Sequence, residues 1–164
     1  MAGIAPKRRV VPAARGQRFA VVAARFNEPI SKKLLEGALA ALGSHAVVDD
    51  AVEVHWVPGS FELAQAALTL ARSGRFAGVV CVGAVIKGAT PHFEYVCSAA
   101  AQGILRAGLE TGVPVTFGVV TALTEEQAWD RAGGAVGNRG EEAALAALEM
   151  AGWLRTQPGS RGRR

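Results

Sequence analysis

Cysteine is scarce in this chain of 164 residues, and its two thiols lie apart. Cys81 falls in an apolar run and Cys97 in a stretch with helical periodicity, and neither belongs to a CxxC pair or has a metal-ligand spacing to a histidine. This pattern favours neither a metal site nor a disulfide framework. We expect two reduced, buried thiols, because free cysteine is among the most buried residue types.

Long apolar runs are missing as well. No stretch of about 18 apolar residues is free of charge, so we expect no membrane-spanning helix and no membrane partner. The opening residues, MAGIAPKRRVVPAARGQR, are basic and lack the apolar segment of a secretory signal, and we therefore expect a cytoplasmic protein. Half of the residues are hydrophobic and only 6% are aromatic, which is typical of a globular domain rich in alanine and valine.

Acidic residues are absent from both ends of the chain. Residues 1–17 and residues 155–164 each hold four basic residues, which leaves ten basic and fourteen acidic residues between them. A nucleic-acid-binding domain carries its basic residues on a folded face. We therefore expect one domain over residues 18–154, a flexible basic segment before it, a basic tail after it, and no nucleic-acid partner. Nonspecific binding of anionic partners by the two ends stays open.

Apolar runs and stretches with helical periodicity alternate along the chain. Such alternation is typical of strands followed by helices. The predicted strands are 18–24, 52–57, 78–86 and 115–120, and the predicted helices follow Asn27 and span 61–72, 93–111, a segment opening at Thr124, and 141–154. Asn27 is a candidate cap, and Thr124 to Gln127 has the spacing of a capping box. The order predicts a three-layer α/β/α sandwich around a mainly parallel four-stranded sheet.

Two of the predicted strands differ in pattern. Residues 78–86, GVVCVGAVI, are almost continuously apolar, which predicts a central parallel strand. Residues 52–57, VEVHWV, alternate between apolar and polar, which predicts an edge strand or one with a wetter face. Four glycines between residues 133 and 140 are expected to interrupt regular structure before the last helix.

Polar or aromatic residues follow all four predicted strands. These exits are residues 25–27, 58–62, 84–92 and the stretch after Val120. In open parallel sheets, ligands bind beyond the carboxyl ends of the strands. The sequence therefore predicts a binding site at this edge of the sheet.

The third exit contains the stretch GATPHFEY, residues 88–95. Gly88 and Ala89 allow close approach of the backbone, and Thr90 offers a hydroxyl and an amide where a helix starts, an arrangement that suits phosphate. The alternative is a loop that only starts the helix. Neither a P-loop nor a GxGxxG motif is present, which argues against a nucleotide-binding module.

Four further side chains at the exits have two interpretations each. His92 lies in the first turn of a helix, where a neutral imidazole can accept a proton, or it packs as a structural residue; Glu94 could orient it. Glu62 suits hydroxyl donors or only the helix start. Phe26 could stack on a planar ring or belong to the core. Arg131 could bind phosphate or lie on the surface. These residues indicate a phosphorylated substrate together with a planar or polyhydroxylated one.

Five motifs together resemble the 6,7-dimethyl-8-ribityllumazine synthase family. They are RFN at 25–27, VPGSFE at 57–62, GAVIKGATPHFEYVC at 83–97, GVPVTFGVVT at 112–121 and DRAGGAVGNRGEEAA at 130–144. The block GxVI[RK]GxTxHF is the most specific of them, and the resemblance extends from about residue 15 to about residue 155. It implies a flavodoxin-like fold and the condensation of 5-amino-6-(D-ribitylamino)uracil with 3,4-dihydroxy-2-butanone 4-phosphate. Phosphate and water are released, and no cofactor or metal is used.

The resemblance also implies a role for each matching residue. Phe26 stacks on the pyrimidine, and Phe117 contributes to the ring pocket. The ribityl chain is held by Ser60, Phe61 and Glu62. The uracil meets backbone groups of Ala84, Val85 and Ile86, beside Lys87. Phosphate meets Ala89, Thr90 and Arg131, and His92 carries protons.

The resemblance implies an assembly, too. Phe117 and Arg131 reach the site from a neighbouring subunit of a homopentamer, and pentamers of this family can build a sixty-subunit icosahedral shell. Two alternatives are a dismutase like the archaeal-type riboflavin synthase and a noncatalytic flavin-binding or shell protein. The dismutation involves no phosphate, so the presence of the phosphate-binding set Ala89, Thr90 and Arg131 argues against the first alternative. The second has no need of His92 or Arg131.

Overall fold

Four parallel strands form the sheet that organises the chain. The computed structural model describes residue 11 and residues 13–158. Its strands are β1 (Phe19–Ala24), β2 (Val52–Val57), β3 (Gly78–Ile86) and β4 (Val115–Ala122), in the order β2-β1-β3-β4 with every neighbouring pair parallel. The predicted α/β sandwich is confirmed, with residues 78–86 inside the sheet and residues 52–57 at one edge.

Five helices cover the sheet. They are α1 (Glu28–Ser44), α2 (Leu63–Arg72), α3 (His92–Thr111), α4 (Glu125–Asp130) and α5 (Arg139–Thr156), with a short 3-10 turn at Asp49–Ala51. The helix expected from residue 61 begins two residues later, because Gly59 to Glu62 form a turn first. At the start of α4 half of the capping box forms: the Gln127 amide donates to Thr124 Oγ1 over 3.3 Å, whereas Gln127 Oε1 accepts over 3.0 Å from the amide of Leu123, one residue before the cap.

The sheet separates two hydrophobic cores, and alternate residues of β1 point into each. Phe19, Val21 and Ala23 pack with α1 and α5, whereas Ala20, Val22 and Ala24 pack with α2 and α3. All six side chains are fully buried. Of the five helices in the described residues, α2 and α3 therefore lie on one face and α1 and α5 on the other, where α4 adds Ala128 to the core.

A small hairpin between α4 and α5 was not predicted. Residues Ala132–Gly134 (β5) and Gly137–Asn138 (β6) pair antiparallel. Asn138 fixes this hairpin to α1, since its Nδ2 donates to the Lys33 carbonyl over 2.8 Å while its Oδ1 accepts from the Gly140 amide over 2.8 Å. At Gly140 a Cβ would lie 1.9 Å from the Leu34 carbonyl oxygen, so only glycine permits this contact between α1 and α5.

The expectations for the chain ends and the thiols have mixed outcomes. Residues 1–10, 12 and 159–164 lie outside the described part; within it, Ala14 is buried and its amide donates to the His45 carbonyl over 2.8 Å. Burial of Cys81 is confirmed, and that burial raises the pKa of its thiol to about 12. Cys97 is only partly buried, contrary to expectation. No helix of the described residues combines the length and apolarity that crossing a bilayer requires.

Candidate functional site

A cavity of about 630 Å³ lies at the carboxyl ends of β1, β2 and β3. This volume is within the range of small-molecule sites. Nine residues with predicted roles line it: Phe26, Ser60, Phe61, Glu62, Ala84, Val85, Ile86, Thr90 and His92. Five more residues line it: Asn27, Gly59 and Gly88 lie in the predicted strand exits, whereas Phe93 and Val96 were not predicted to belong to the site.

The exit of β1 carries an exposed aromatic ring. After the strand ends, the Arg25 amide donates to the Val57 carbonyl over 2.8 Å and the Phe26 amide donates to the Pro58 carbonyl over 3.0 Å. These bonds continue the pairing of β1 with the chain after β2, so the backbone of Phe26 is held while its side chain remains 73% exposed. Across the same cavity Phe61 is 60% exposed. Both rings are accessible for contact with a planar or apolar ligand group.

The exit of β2 brings a hydroxyl and a carboxylate to the cavity. The Glu62 amide donates to the Gly59 carbonyl over 3.2 Å, and a Cβ at Gly59 would lie 3.2 Å from Glu62 Oε2. Ser60 is only 4% exposed, and its Oγ has no hydrogen-bond partner within the described residues. A Cβ at Gly83 would lie 2.9 Å from that Oγ, so glycine in β3 makes room for the serine. A buried polar atom without a partner is costly, and because Ser60 lines the cavity its Oγ is available to a ligand hydroxyl.

The exit of β3 exposes a strand edge. The last pair between β1 and β3 is Ala23 with Val82, so Ala84 to Ile86 extend beyond β1. On the other side, β3 stays paired with β4, and the Lys87 amide donates to the Ala122 carbonyl over 2.9 Å. Because successive residues of a strand direct their amides and carbonyls to opposite sides, those of Ala84 and Ile86 face the β1 side.

The start of α3 forms the remaining wall. Pro91 occupies the N-cap position, with φ −62°, and His92 is the first helical residue. Phe93 and Val96 lie in the first turns of α3, and Val96 follows Phe93 by three residues and His92 by four, spacings that bring side chains together on a helix. The His92 imidazole is exposed and forms no hydrogen bond with the described residues. Glu94 does not orient it; the charge of Glu94 instead contributes to raising the pKa of Cys97, after the larger effect of burial.

Four residues with predicted roles do not line the cavity. Lys87 and Ala89 are exposed in the loop beside it. Phe117 lies within β4, in register with Cys81, and is 42% exposed. Arg131 follows α4 directly, and its Nη1 donates to the Gln127 carbonyl over 2.9 Å. Within one subunit, Phe117 and Arg131 are thus separate from the other predicted site residues.

The structure gives the Asn27 side chain a different role from the one that the sequence predicts. It was expected to cap α1, yet its side chain makes no capping bond. The Asn27 carbonyl accepts from the amides of Ile30 and Ser31, while Asn27 Nδ2 donates to the Ala84 carbonyl over 2.9 Å. Its backbone is left-handed, with φ 58° and ψ 43°, a conformation that asparagine adopts more readily than most residues.

The fold and the cavity define a class: a parallel α/β protein that binds a small molecule at the carboxyl edge of its sheet. The cavity combines exposed aromatic rings, a carboxylate, an unpaired hydroxyl and a helix start. Comparison with protein families identifies the particular one. The sequence model of 6,7-dimethyl-8-ribityllumazine synthase matches residues 16–155, and the chain belongs to this family, that of a transferase of riboflavin biosynthesis.

Proposed function

We propose that this protein condenses 5-amino-6-(D-ribitylamino)uracil with 3,4-dihydroxy-2-butanone 4-phosphate to form 6,7-dimethyl-8-ribityllumazine, phosphate and water. The observation that carries the proposal is the convergence of nine assigned residues, from three strand exits and one helix start, on a single cavity. These residues are distant in sequence, so their convergence in space adds evidence that the spacing of the motifs does not contain. Membership of the family supports the same reaction.

The pyrimidine binds between the Phe26 ring and the exposed edge of β3. Phe26 stacks on the ring, and the backbone of Ala84 to Ile86 provides hydrogen bonds to its polar edge. The ribityl chain extends toward Ser60 and Glu62, where a carboxylate accepts from hydroxyl groups and the buried serine Oγ gains a partner. Phe61 shields this chain from solvent.

The butanone phosphate binds with its phosphate at Ala89 and Thr90. The start of α3 supplies amides without intrahelical partners and the positive end of the helix dipole. Arg131 of a neighbouring subunit adds a charged hydrogen-bond donor. His92 then lies between the phosphate end and the ring, where its imidazole can move protons during imine formation and phosphate elimination. Proximity of the amine and the ketone supplies much of the rate acceleration.

Homopentamer formation completes the site. Within one subunit Phe117 is exposed on the α3 side of the sheet. Val115 and Val119, two residues before and after it, lie on the same face of β4, and both pack on that core. Exposed apolar side chains lie on α3 and around α4 and the hairpin: Tyr95, Leu105, Leu109, Leu123, Trp129 and Val136. Apolar patches of this kind mark interfaces. In a ring, the α3 face of one subunit contacts the face of the next that carries Phe117 and Arg131.

A direct assay tests the reaction. The purified protein is mixed with both substrates, and lumazine absorbance and phosphate release are followed together. We expect both to accelerate equally over the uncatalysed reaction. No acceleration over the uncatalysed reaction, or conversion of added lumazine to riboflavin with no lumazine made from the two substrates, would contradict the proposal. Light scattering on the same sample distinguishes a pentamer from a sixty-subunit shell.

Mixed assemblies test whether two subunits share each site. Variants His92→Ala and Arg131→Ala are co-expressed at equal levels and assayed at low butanone phosphate. Random mixing in a head-to-tail ring combines an intact His92 with an intact Arg131 at about a quarter of the interfaces. We expect activity well above the mean of the two separate variants. Activity equal to that mean would place both residues in the site of one subunit and refute the shared site.

A further inference from the structure

The Asn27 side chain occupies the place where a strand partner of β3 would be. Strand β1 ends at Ala24, and its pairing with β3 ends at Val82, so the β1-facing carbonyl of Ala84 has no backbone partner from β1. Asn27 Nδ2 donates to that carbonyl over 2.9 Å. The side-chain amide thus replaces the next hydrogen bond of the parallel ladder.

Because Asn27 bonds to Ala84, helix α1 lacks a side-chain cap. An asparagine side chain at an N-cap position ordinarily accepts from the first helical amides and stabilises the helix. Asn27 forgoes that bond and adopts a left-handed backbone, φ 58°, that directs its side chain to β3. The Asn27 side chain bonds to Ala84, 57 residues away, instead of capping α1. This choice of partner indicates that Asn27 holds the edge of β3 in position.

The edge that it fixes faces the cavity. Two residues beyond Ala84, the Ile86 amide and carbonyl lie on the same side of β3 and have no strand beside them. A donor and an acceptor side by side match the alternating N–H and C=O groups along the edge of a uracil ring. The ring can therefore pair with β3 much as another strand would, provided that the edge is held in position.

We propose that Asn27 is a positioning residue for the pyrimidine substrate, acting through the Ala84 carbonyl rather than by contact with the reacting atoms. The inference rests on the proposed function and adds to it the residue that aligns pyrimidine recognition. The Asn27 amide holds the overhanging part of β3, and Ile86 then presents its backbone pair at a fixed distance from the Phe26 ring.

Two variants remove this bond in different ways. Asn27→Asp keeps the shape, the oxygen acceptors and the tolerance of a left-handed backbone, but it places an oxygen opposite the Ala84 carbonyl. Asn27→Gly keeps the backbone conformation and removes the side chain. Loss of one hydrogen bond to a partly buried carbonyl predicts about tenfold weaker binding of the pyrimidine in both variants. The Michaelis constant for butanone phosphate and the turnover number should remain within about twofold of wild type.

The measurements are calorimetric titration of the assembled protein with the pyrimidine alone, and steady-state kinetics with each substrate varied. The control is Val79→Ala, a buried residue at the opposite end of β3, which should lower the melting temperature and leave both substrate affinities unchanged. If Asn27→Asp binds the pyrimidine as tightly as wild type, or if both substrates weaken equally, the inference is wrong. If wild type itself forms no lumazine, the proposed function fails instead, whatever the variants do. If Asn27→Asp does not fold, Asn27→Gly alone decides, by the same criteria.

Discussion

The cavity at the ends of β1, β2 and β3 and the surface formed by β4, α4 and the hairpin differ in how complete they are. The first is assembled within one chain: Ser60 and Ala84 are buried, and backbone bonds hold Phe26 in place. The second presents Phe117 and Arg131 on an exposed surface with several apolar side chains around them. A single chain therefore forms the cavity that we propose binds the pyrimidine, and a neighbouring chain is expected to provide Phe117 and Arg131.

The largest effect should come from breaking the contact between these two regions. Leu109 is 75% exposed on α3, and Leu109→Glu would place a charge in the proposed interface. We expect dissociation of the pentamer and a loss of activity of about 10²-fold or more, because burying an unpaired charge is costly. Sedimentation and the lumazine assay measure both. Leu39→Glu on α1, the opposite face of the sheet, is the matched control and should leave the pentamer and its activity intact.

The next effect concerns the proton carrier of the assembled cavity. His92→Ala should lower the turnover number by about 10²-fold without abolishing the reaction, since general acid–base catalysis is lost while positioning remains. Steady-state kinetics at saturating substrate measure it. The control is His55→Ala, which makes the same chemical change on β2, where His55 contacts Glu53 away from the cavity. It should leave the turnover number unchanged. An unchanged rate in His92→Ala would rule out the role of His92.

A smaller effect is expected from a substitution in the surface formed by β4, α4 and the hairpin. Arg131→Ala should raise the Michaelis constant for butanone phosphate about tenfold, because a charge-assisted hydrogen bond to phosphate is lost. The constant for the pyrimidine should stay near its wild-type value. Varying each substrate in turn separates the two, and a selective loss for the pyrimidine would contradict the assignment. Arg106→Ala on α3, whose side chain pairs with Glu110, serves as the control.

The smallest effect lies at the opposite end of the sheet. Glu53 on β2 accepts from Arg75 over 2.6 Å and from Arg18 over 2.8 Å, and the bond from Arg75 is the main cause that lowers the pKa of its carboxyl below 4.5. A lowered folded-state pKa stabilises the protein above the unfolded value, and the contribution disappears as the pH falls through the folded value.

Substituting Glu53 tests this effect. Glu53→Gln should slightly lower the melting temperature at pH 7, and the difference from wild type should disappear in acid, once the pH lies below the lowered pKa of Glu53. Thermal unfolding at both pH values measures it. Because the cluster is distant from the cavity, lumazine formation should be unaffected, and a selective change in either Michaelis constant would contradict the separation of the two ends.

The sequence predicts elements well where hydrophobic periodicity is strong. The four strands lie within two residues of their predicted bounds, because β1 and β3 are apolar runs that the two cores bury, while β2 and β4 are rich in valine and partly buried. The hairpin at Ala132–Asn138 was missed since its glycines carry no side-chain pattern; the contact of Asn138 with Lys33 stabilises it instead. Val96 could have been found from its spacing of four residues after His92, and Phe93 from its spacing of three residues before Val96.

The order of the strands and helices, the family motifs and the polar strand exits follow from local composition and from spacing along the chain. The folded chain was needed to find that Asn27 bonds to Ala84 rather than capping α1, that Gly83 makes room for Ser60, and that Lys87 and Ala89 lie outside the cavity. The physical reason is that each depends on the distance between atoms far apart in sequence, which packing of the sheet and its helices sets.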